Sequence, residues 1–427
     1  MRNLGTLYRF ELKKLMQRKM VWAALAILTA VSAFIPASTV IGKIYVSGDA
    51  TGQGDRWYSL YEIVQRKRSD PAGLDGRTLD TELIREAIAQ QGILAETTTF
   101  YTDGNGNEHS FTVTQRDGSD AGPWTLDGYI TDGQYGDIYN TVLHIVGAEN
   151  MRPDLTAEDY YAALDARRER EHALWGLSDG ARAWWDAQAE EIQTPLPITG
   201  CPDGGWTEIA QSAFVVNVAI FLFAIIALSG LWPMERQRRT EALAMCARNG
   251  KTPLYAAKFL AGLTASFGGA VCMTAAMAGT SLLLLGPEDA ATAVQQLMNP
   301  AYGASMTVRE LALTVCGVYL IASLIHAAFV MAVSLVTRGG TSAMAVSFGA
   351  MMLFIWVSAL PLSHPRLSQL WSLLPAVYGA GGFLSDPRLV RLGGYLTGYQ
   401  AAPLLWLVMT LALAGLAWAL HRRTPDR

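Results

Sequence analysis

The chain has 427 residues, with 33 Lys or Arg against 37 Asp or Glu and a formal net charge of −4. That average conceals a split: residues 43–208 hold 13 basic and 29 acidic side chains, a net −16, whereas the other 261 residues hold 20 and 8, a net +12. The second set is about 11% charged, far below the ~25% usual for soluble domains, which excludes a single soluble globular domain. Of the four cysteines only Cys201 lies in the acidic region, so no internal disulfide can close there, and its 166 residues must supply an ordinary core.

Residues 1–19 predict an amphipathic helix lying flat on the inner leaflet. Leu4, Leu7, Tyr8, Leu12, Leu15 and Met16 recur at helical spacing, with Arg9, Lys13 and Lys14 interleaved. The charge-free run 20–42 then reads as a first span, with Trp22 at the interface. Its basic lead and apolar run are both long for a cleaved leader, so a retained span is expected.

Residues 43–208 read as an acidic α+β domain inserted between spans one and two. The β-prone runs 97–101 and 110–115 flank Asp103-Gly104-Asn105-Gly106-Asn107, a hairpin turn signal. The same loop resembles a calcium loop only briefly, because Glu108 replaces the required Gly and Thr114 the bidentate Glu. Helices are expected over 81–90 and over 156–192 with a break near 176–180, Thr156 capping with Asp159 three residues on. Arg167, Arg168, Glu169, Arg170 and Glu171 read as a solvated face, and Trp175, Trp184 and Trp185 as core or partner-facing anchors. Pro195, Pro197 and Pro202 with Gly200, Gly204 and Gly205 make an extended return to the membrane.

Residues 209–427 carry five further charge-free runs, 209–234, 259–287, 311–337, 339–365 and 392–420. Each meets the ~20 apolar residues that a bilayer-spanning helix needs, because only a helix satisfies its own backbone in lipid. The sequence therefore predicts a polytopic α-helical membrane protein of six spans. Residues 367–385 are also charge-free but contain Pro375, Gly379, Gly381 and Gly382, which favours a re-entrant outer segment. Basic residues gather before span one, between spans two and three, and after span six, which places both termini in the cytoplasm and the acidic domain outside the cell membrane. Small residues at Ala265, Gly268, Gly269, Cys272, Ala345 and Gly349 mark close-packing faces, within the bundle or between copies.

Enzyme motifs fail on inspection. There is no H-E-x-x-H or G-x-S-x-G, and the six histidines show no metal-ligand spacing. Gly250-Lys251-Thr252 invites a phosphate-loop reading, but Met245 stands where the first glycine belongs. No catalytic residue, metal, cofactor or nucleic-acid partner is expected for this chain. Two intramembrane polar residues, Asn217 and His326, are functional candidates, although hydrogen bonding between helices accounts for either one.

The loop 235–258, ERQRRTEALAMCARNGKTPLYAAK, places Glu235 and Arg236 ahead of a short helix-prone run that ends near Arg248 and Gly250, with Pro253 reopening helix. A short polar helix under the membrane suits a cytosolic partner, and a positive-inside loop without a partner fits the composition equally. This loop, the start YRFELKKLMQRKMVW, the DGGWTEI approach to span two and the SLLPAVYG segment resemble permeases of the type-2 ABC exporter superfamily. The resemblance covers roughly residues 1–40 and 203–427, and the large domain between spans one and two is a departure shared with a subset of that superfamily. It implies a coupling helix docked on a separate ATPase that holds ATP and Mg, with Glu235, Thr240, Glu241, Arg248 and Lys258 at the family's recurring positions. It further implies a second permease copy or paralogue, membrane lipid as surroundings, and export of a peptide, lipid or ion. Two other readings stay open: a mechanotransmission or antimicrobial-peptide resistance complex acting outside without translocation, and a membrane receptor or scaffold.

Overall fold

A computed structural model describes residues 4–46, 56–91, 93–102, 108–117, 125–237, 252–297, 305–358, 365–375 and 386–423. The chain divides into two compact units, one of Met1–Ser38, Trp206–Leu283 and Glu310–Arg427, the other of Thr39–Gly205 and Leu284–Arg309.

Among the described residues, the first unit is helical over most of each of its charge-free runs. Helix α1 (Leu4–Met16) is followed after a two-residue break by α2 (Lys19–Ser38). Among the described residues, five helices are long and apolar enough to cross a membrane: Lys19–Ser38, Gly205–Gln237, Thr252–Leu285, Val308–Val336 and Gly398–Arg422. The run 339–365 forms a shorter apolar helix, Gly340–Ser358. The 367–385 segment begins as a helix, Pro365–Ser372, and residues 376–385 of it lie outside the described residues.

Helix contact in this unit rests on small side chains. A Cβ on Gly269 would run into the ring of Phe223, and one on Gly262 into the sulfur of Met331, so the third spanning helix approaches its neighbours closely at these two points. Ala265 is buried, whereas a Cβ at Gly268 or Gly349 would meet nothing within 4 Å among the described residues. The small-residue pattern thus serves packing inside this unit at some of its members only.

The second unit contains the helices expected from the sequence and two that were not. Observed α4 (Thr81–Gln91), α6 (Ala157–Leu174) and α7 (Asp179–Glu190) match the expected segments within a residue or two. Thr156 caps α6 through the Asp159 backbone N–H at 3.2 Å, while the Thr156 backbone N–H donates to the Asp159 carboxylate at 3.0 Å, a complete capping box. Strands β3 (Ile93–Thr102) and β4 (Glu108–Asp117) pair antiparallel with Thr102 opposite Glu108. The turn residues 103–107, and with them the rejected calcium loop, lie outside the described residues. A first pair, β1 (Lys43–Val46) and β2 (Arg56–Ser59), leads into α3 (Leu60–Lys67).

The central helix of this unit is α5 (Leu126–Val146), which contributes Ile138, Tyr139, Val142 and Ile145 to a core shared with Leu79, Leu83, Ile84 and Ala87. Gly136 lets the Gln91 side chain lie against α5, where a Cβ would meet its Oε1 at 3.4 Å. The Pro- and Gly-rich return is extended, as expected, yet it is no free linker. Leu196 and Ile198 belong to the core, Leu79 donates its N–H to Leu196 O at 2.8 Å, and Ile198 donates to Arg77 O at 2.8 Å. Residues 284–309 are knitted into the same unit: Thr199 and Gln296 exchange two hydrogen bonds of 3.0 and 2.8 Å, and Arg68 pairs with Glu288. Trp185 is buried, while Trp175 is 40% exposed.

Candidate functional site

Four charged side chains meet in the first unit. Lys258, on the first turns of Thr252–Leu285, is fully buried, and its ammonium pairs with Glu235 and lies 3.4 Å from Glu11 Oε2. Lys14 completes the group, pairing with Glu235 and standing 3.9 Å from Glu11. Glu11 and Lys14 come from α1, Glu235 from the short helix Pro233–Gln237. Two carboxylates and two ammonium groups balance, which lets Glu11 and Lys258 stay buried as ions while Lys14, 36% exposed, keeps the edge of the group in contact with solvent.

An aromatic wall backs this quartet. The Lys258 ammonium stands 5.3 Å from the Trp232 ring centre, a cation–π distance. Trp232 stacks on Tyr255 at 5.6 Å and lies 5.1 Å from His421, and the Tyr255 hydroxyl donates to Ala414 O at 2.7 Å. The quartet and its aromatic wall therefore join α1, the short helix Pro233–Gln237, the start of Thr252–Leu285 and the end of Gly398–Arg423. Beside it, Arg236 Nη1 donates to Thr337 O at 3.2 Å, capping the C-terminal end of Val308–Val336 where helix carbonyls lack internal partners.

Of the residues that the sequence singled out, Glu235, Arg236 and Lys258 thus fall in one place. Thr240, Glu241, Arg248 and Gly250 lie outside the described residues. The sequence reading passed over Glu11 and Lys14. The available signal was the placement of one acid, Glu11, in the middle of an otherwise basic helix.

The intramembrane pair is separate. Asn217 is buried and its Nδ2 donates to Pro375 O at 2.7 Å, fastening Gly205–Leu228 to the segment after Pro365–Ser372. His326 is 2% exposed and stacks on Phe221, one helical turn from Asn217, at 4.2 Å and 7°. Neither ring nitrogen of His326 has a hydrogen-bond partner among the described residues, and no group of three or more potential metal ligands occurs among them.

Among the described residues, five apolar helices of spanning length define a polytopic helical membrane protein. The chain belongs to the ABC-2 family of transporter proteins, whose family model matches residues 6–372. Permeases of this family are the membrane component and not the ATPase. The matched span encloses residues 41–202, which the motif-level resemblance did not reach. No curated protein and no solved structure matches the chain.

Proposed function

We propose that this chain is the permease subunit of an ATP-driven exporter, with six spans, both termini in the cytoplasm and the second unit outside. The Glu11–Lys14–Glu235–Lys258 quartet carries the reading, because it ties an interfacial helix to both ends of the loop on which an ATPase would dock. Residues 235–258 form that docking element, with Arg236, Thr240, Glu241, Arg248 and Gly250 as the coupling residues that the family resemblance implies. A push on the loop is carried to α1 and to three spanning helices at once, since all of them share the quartet and its aromatic wall. Closure of the ATPase pair around ATP would then bias the spans of two permease copies between inward-open and outward-open arrangements. Asn217 and His326 are the intramembrane polar candidates of this reading, both buried within the unit.

Glu241→Lys tests the docking assignment. The variant is expected to insert normally and to lose co-purification with its partner ATPase. Normal assembly and normal ATP-dependent export would sink the assignment. A second reading, action on an external target without translocation, is favoured by the independent core of the second unit. Export into sealed vesicles separates the two, because only the first requires cargo to accumulate in the lumen.

A further inference from the structure

The second unit holds a cleft that its core does not fill and that coupling does not use. It lies between α6, α7 and residues 192–196, with a volume of about 640 Å³, inside the range typical of ligand pockets. Four carboxylates rim it, Asp165 and Glu169 from α6 and Asp186 and Glu190 from α7. Each pair is spaced one helical turn apart, the arrangement in which like charges destabilise a helix, and it occurs on both helices at once. Only Asp165 is neutralised, by Arg168 at 3.1 Å. Glu169, Asp186 and Glu190 enter no ion pair with Lys or Arg among the described residues. His172, also in the wall, adds no compensating charge, because burial lowers its pKa from the ordinary histidine value.

The wall supplies a second, independent sign of a ligand. Tyr160 lines the cleft and is 1% exposed, and its hydroxyl has no hydrogen-bond partner among the described residues. A buried hydroxyl without a partner is a standing cost, relieved when a donor or acceptor arrives. Tyr161 packs edge-on to it at 5.1 Å and is held rigid, its hydroxyl donating to Leu79 O at 3.3 Å and accepting from Leu196 N at 2.8 Å. Leu164, Ile192 and Leu196 complete an apolar flank.

We propose that this cleft binds an organic cation, an ammonium or guanidinium group carried on an apolar stem. The head would sit among Glu169, Asp186 and Glu190 and the stem would lie along the tyrosines and the aliphatic flank. The site stands whether or not the chain acts as an exporter, since every residue in it belongs to the second unit. A solvated acidic surface accounts for the charges, but it explains neither their convergence on one concavity nor the stranded hydroxyl.

The test uses the full chain in nanodiscs of zwitterionic lipid, titrated calorimetrically with spermidine and, separately, with a hexa-arginine peptide. Saturable binding of either probe is expected, weakened at least about tenfold by combined Glu169→Gln, Asp186→Asn and Glu190→Gln, as loss of close charge partners predicts. A control triple of equal charge change outside the cleft, Asp154→Asn, Glu158→Gln and Asp179→Asn, should leave the affinity within about twofold. Should the cleft triple fail to fold, Glu190→Gln alone and Tyr160→Phe each replace it, with several-fold weakening expected. Binding of spermidine alone assigns a free amine, and binding of the peptide alone assigns a basic side chain. No saturable binding of either probe, or equal weakening by the control triple, overturns the proposal.

Discussion

The four charges around Lys258 govern what single substitutions do. Lys258→Met removes one ammonium and leaves Glu11 and Glu235 buried with Lys14 alone. Breaking a buried pair from one side costs roughly 3–5 kcal/mol, because the abandoned charge stays desolvated. Thermal unfolding in nanodiscs should show the loss, and Lys258→Met combined with Glu11→Gln should recover a measurable part of it, since the combination restores charge balance. Equal instability of the single and double variants would show that the side chain packs and does not pair. Cys201 offers a simpler case. It is buried, and burial pushes its thiol up to about 12, so a membrane-impermeant maleimide should leave it unlabelled in the folded chain and label it after denaturation. Legibility at this scale depended on charge context. Lys258 and Glu235 stand out as ions at the edges of apolar runs, whereas Glu11 is hidden among six basic neighbours, and its burial follows from a partner 247 positions away.

Elements were legible where local chemistry decides them. Capping residues fix the starts of helices, so α6 and its Thr156–Asp159 box could be read directly, as could the two strands flanking a Gly-Asn turn. Thr156→Ala should cost about 1 kcal/mol and raise hydrogen exchange in the first turn of α6 ahead of the rest. Helix α5 escaped because Gly128, Gly133 and Gly136 interrupt it and lower its apparent propensity. Tertiary packing overrides that: Gly136 is the point where the Gln91 side chain lies against the helix. In the first unit, Gly269→Ala would set a methyl group against Phe223, and overpacking of this kind costs roughly 1–3 kcal/mol. The corresponding change at Gly268, where a Cβ meets nothing, should be silent in the same unfolding assay, and a reversed order of the two would contradict the helix contact.

The two units differ in how acid should affect them. In the second unit, burial lowers the pKa of His172, with Asp186 opposing the shift and Arg168 adding to it. A depressed histidine contributes stability that is present above its unfolded value of 6.5 and is lost as pH falls through the lower folded value. The carboxylates Glu86 and Asp127 are held below their ordinary range chiefly by hydrogen bonds from Arg77 and Arg66, so their contributions are lost only in more acid solution. Hydrogen exchange in α6 and α7, corrected for intrinsic rates, should therefore rise as pH falls below about 6.5, and His172→Gln should flatten that rise. The division of the chain was visible in its charge, −16 against +12, because the two materials face different solvents. The recruitment of residues 284–309 into the acidic unit was not visible, since a short segment between two apolar runs gives no sign of which surface it will join.

The balance of the quartet has an electrical consequence. A charge carried across a membrane potential does work of about 2.3 kcal/mol per 100 mV, but a block with two positive and two negative groups that moves as one carries no net charge. Rocking of α1 with the ends of the spanning helices would then proceed at the same rate in polarised and depolarised vesicles. Lys258→Met would leave that block with one net negative charge, and a turnover that becomes sensitive to voltage in this variant alone would identify the quartet as a part that moves.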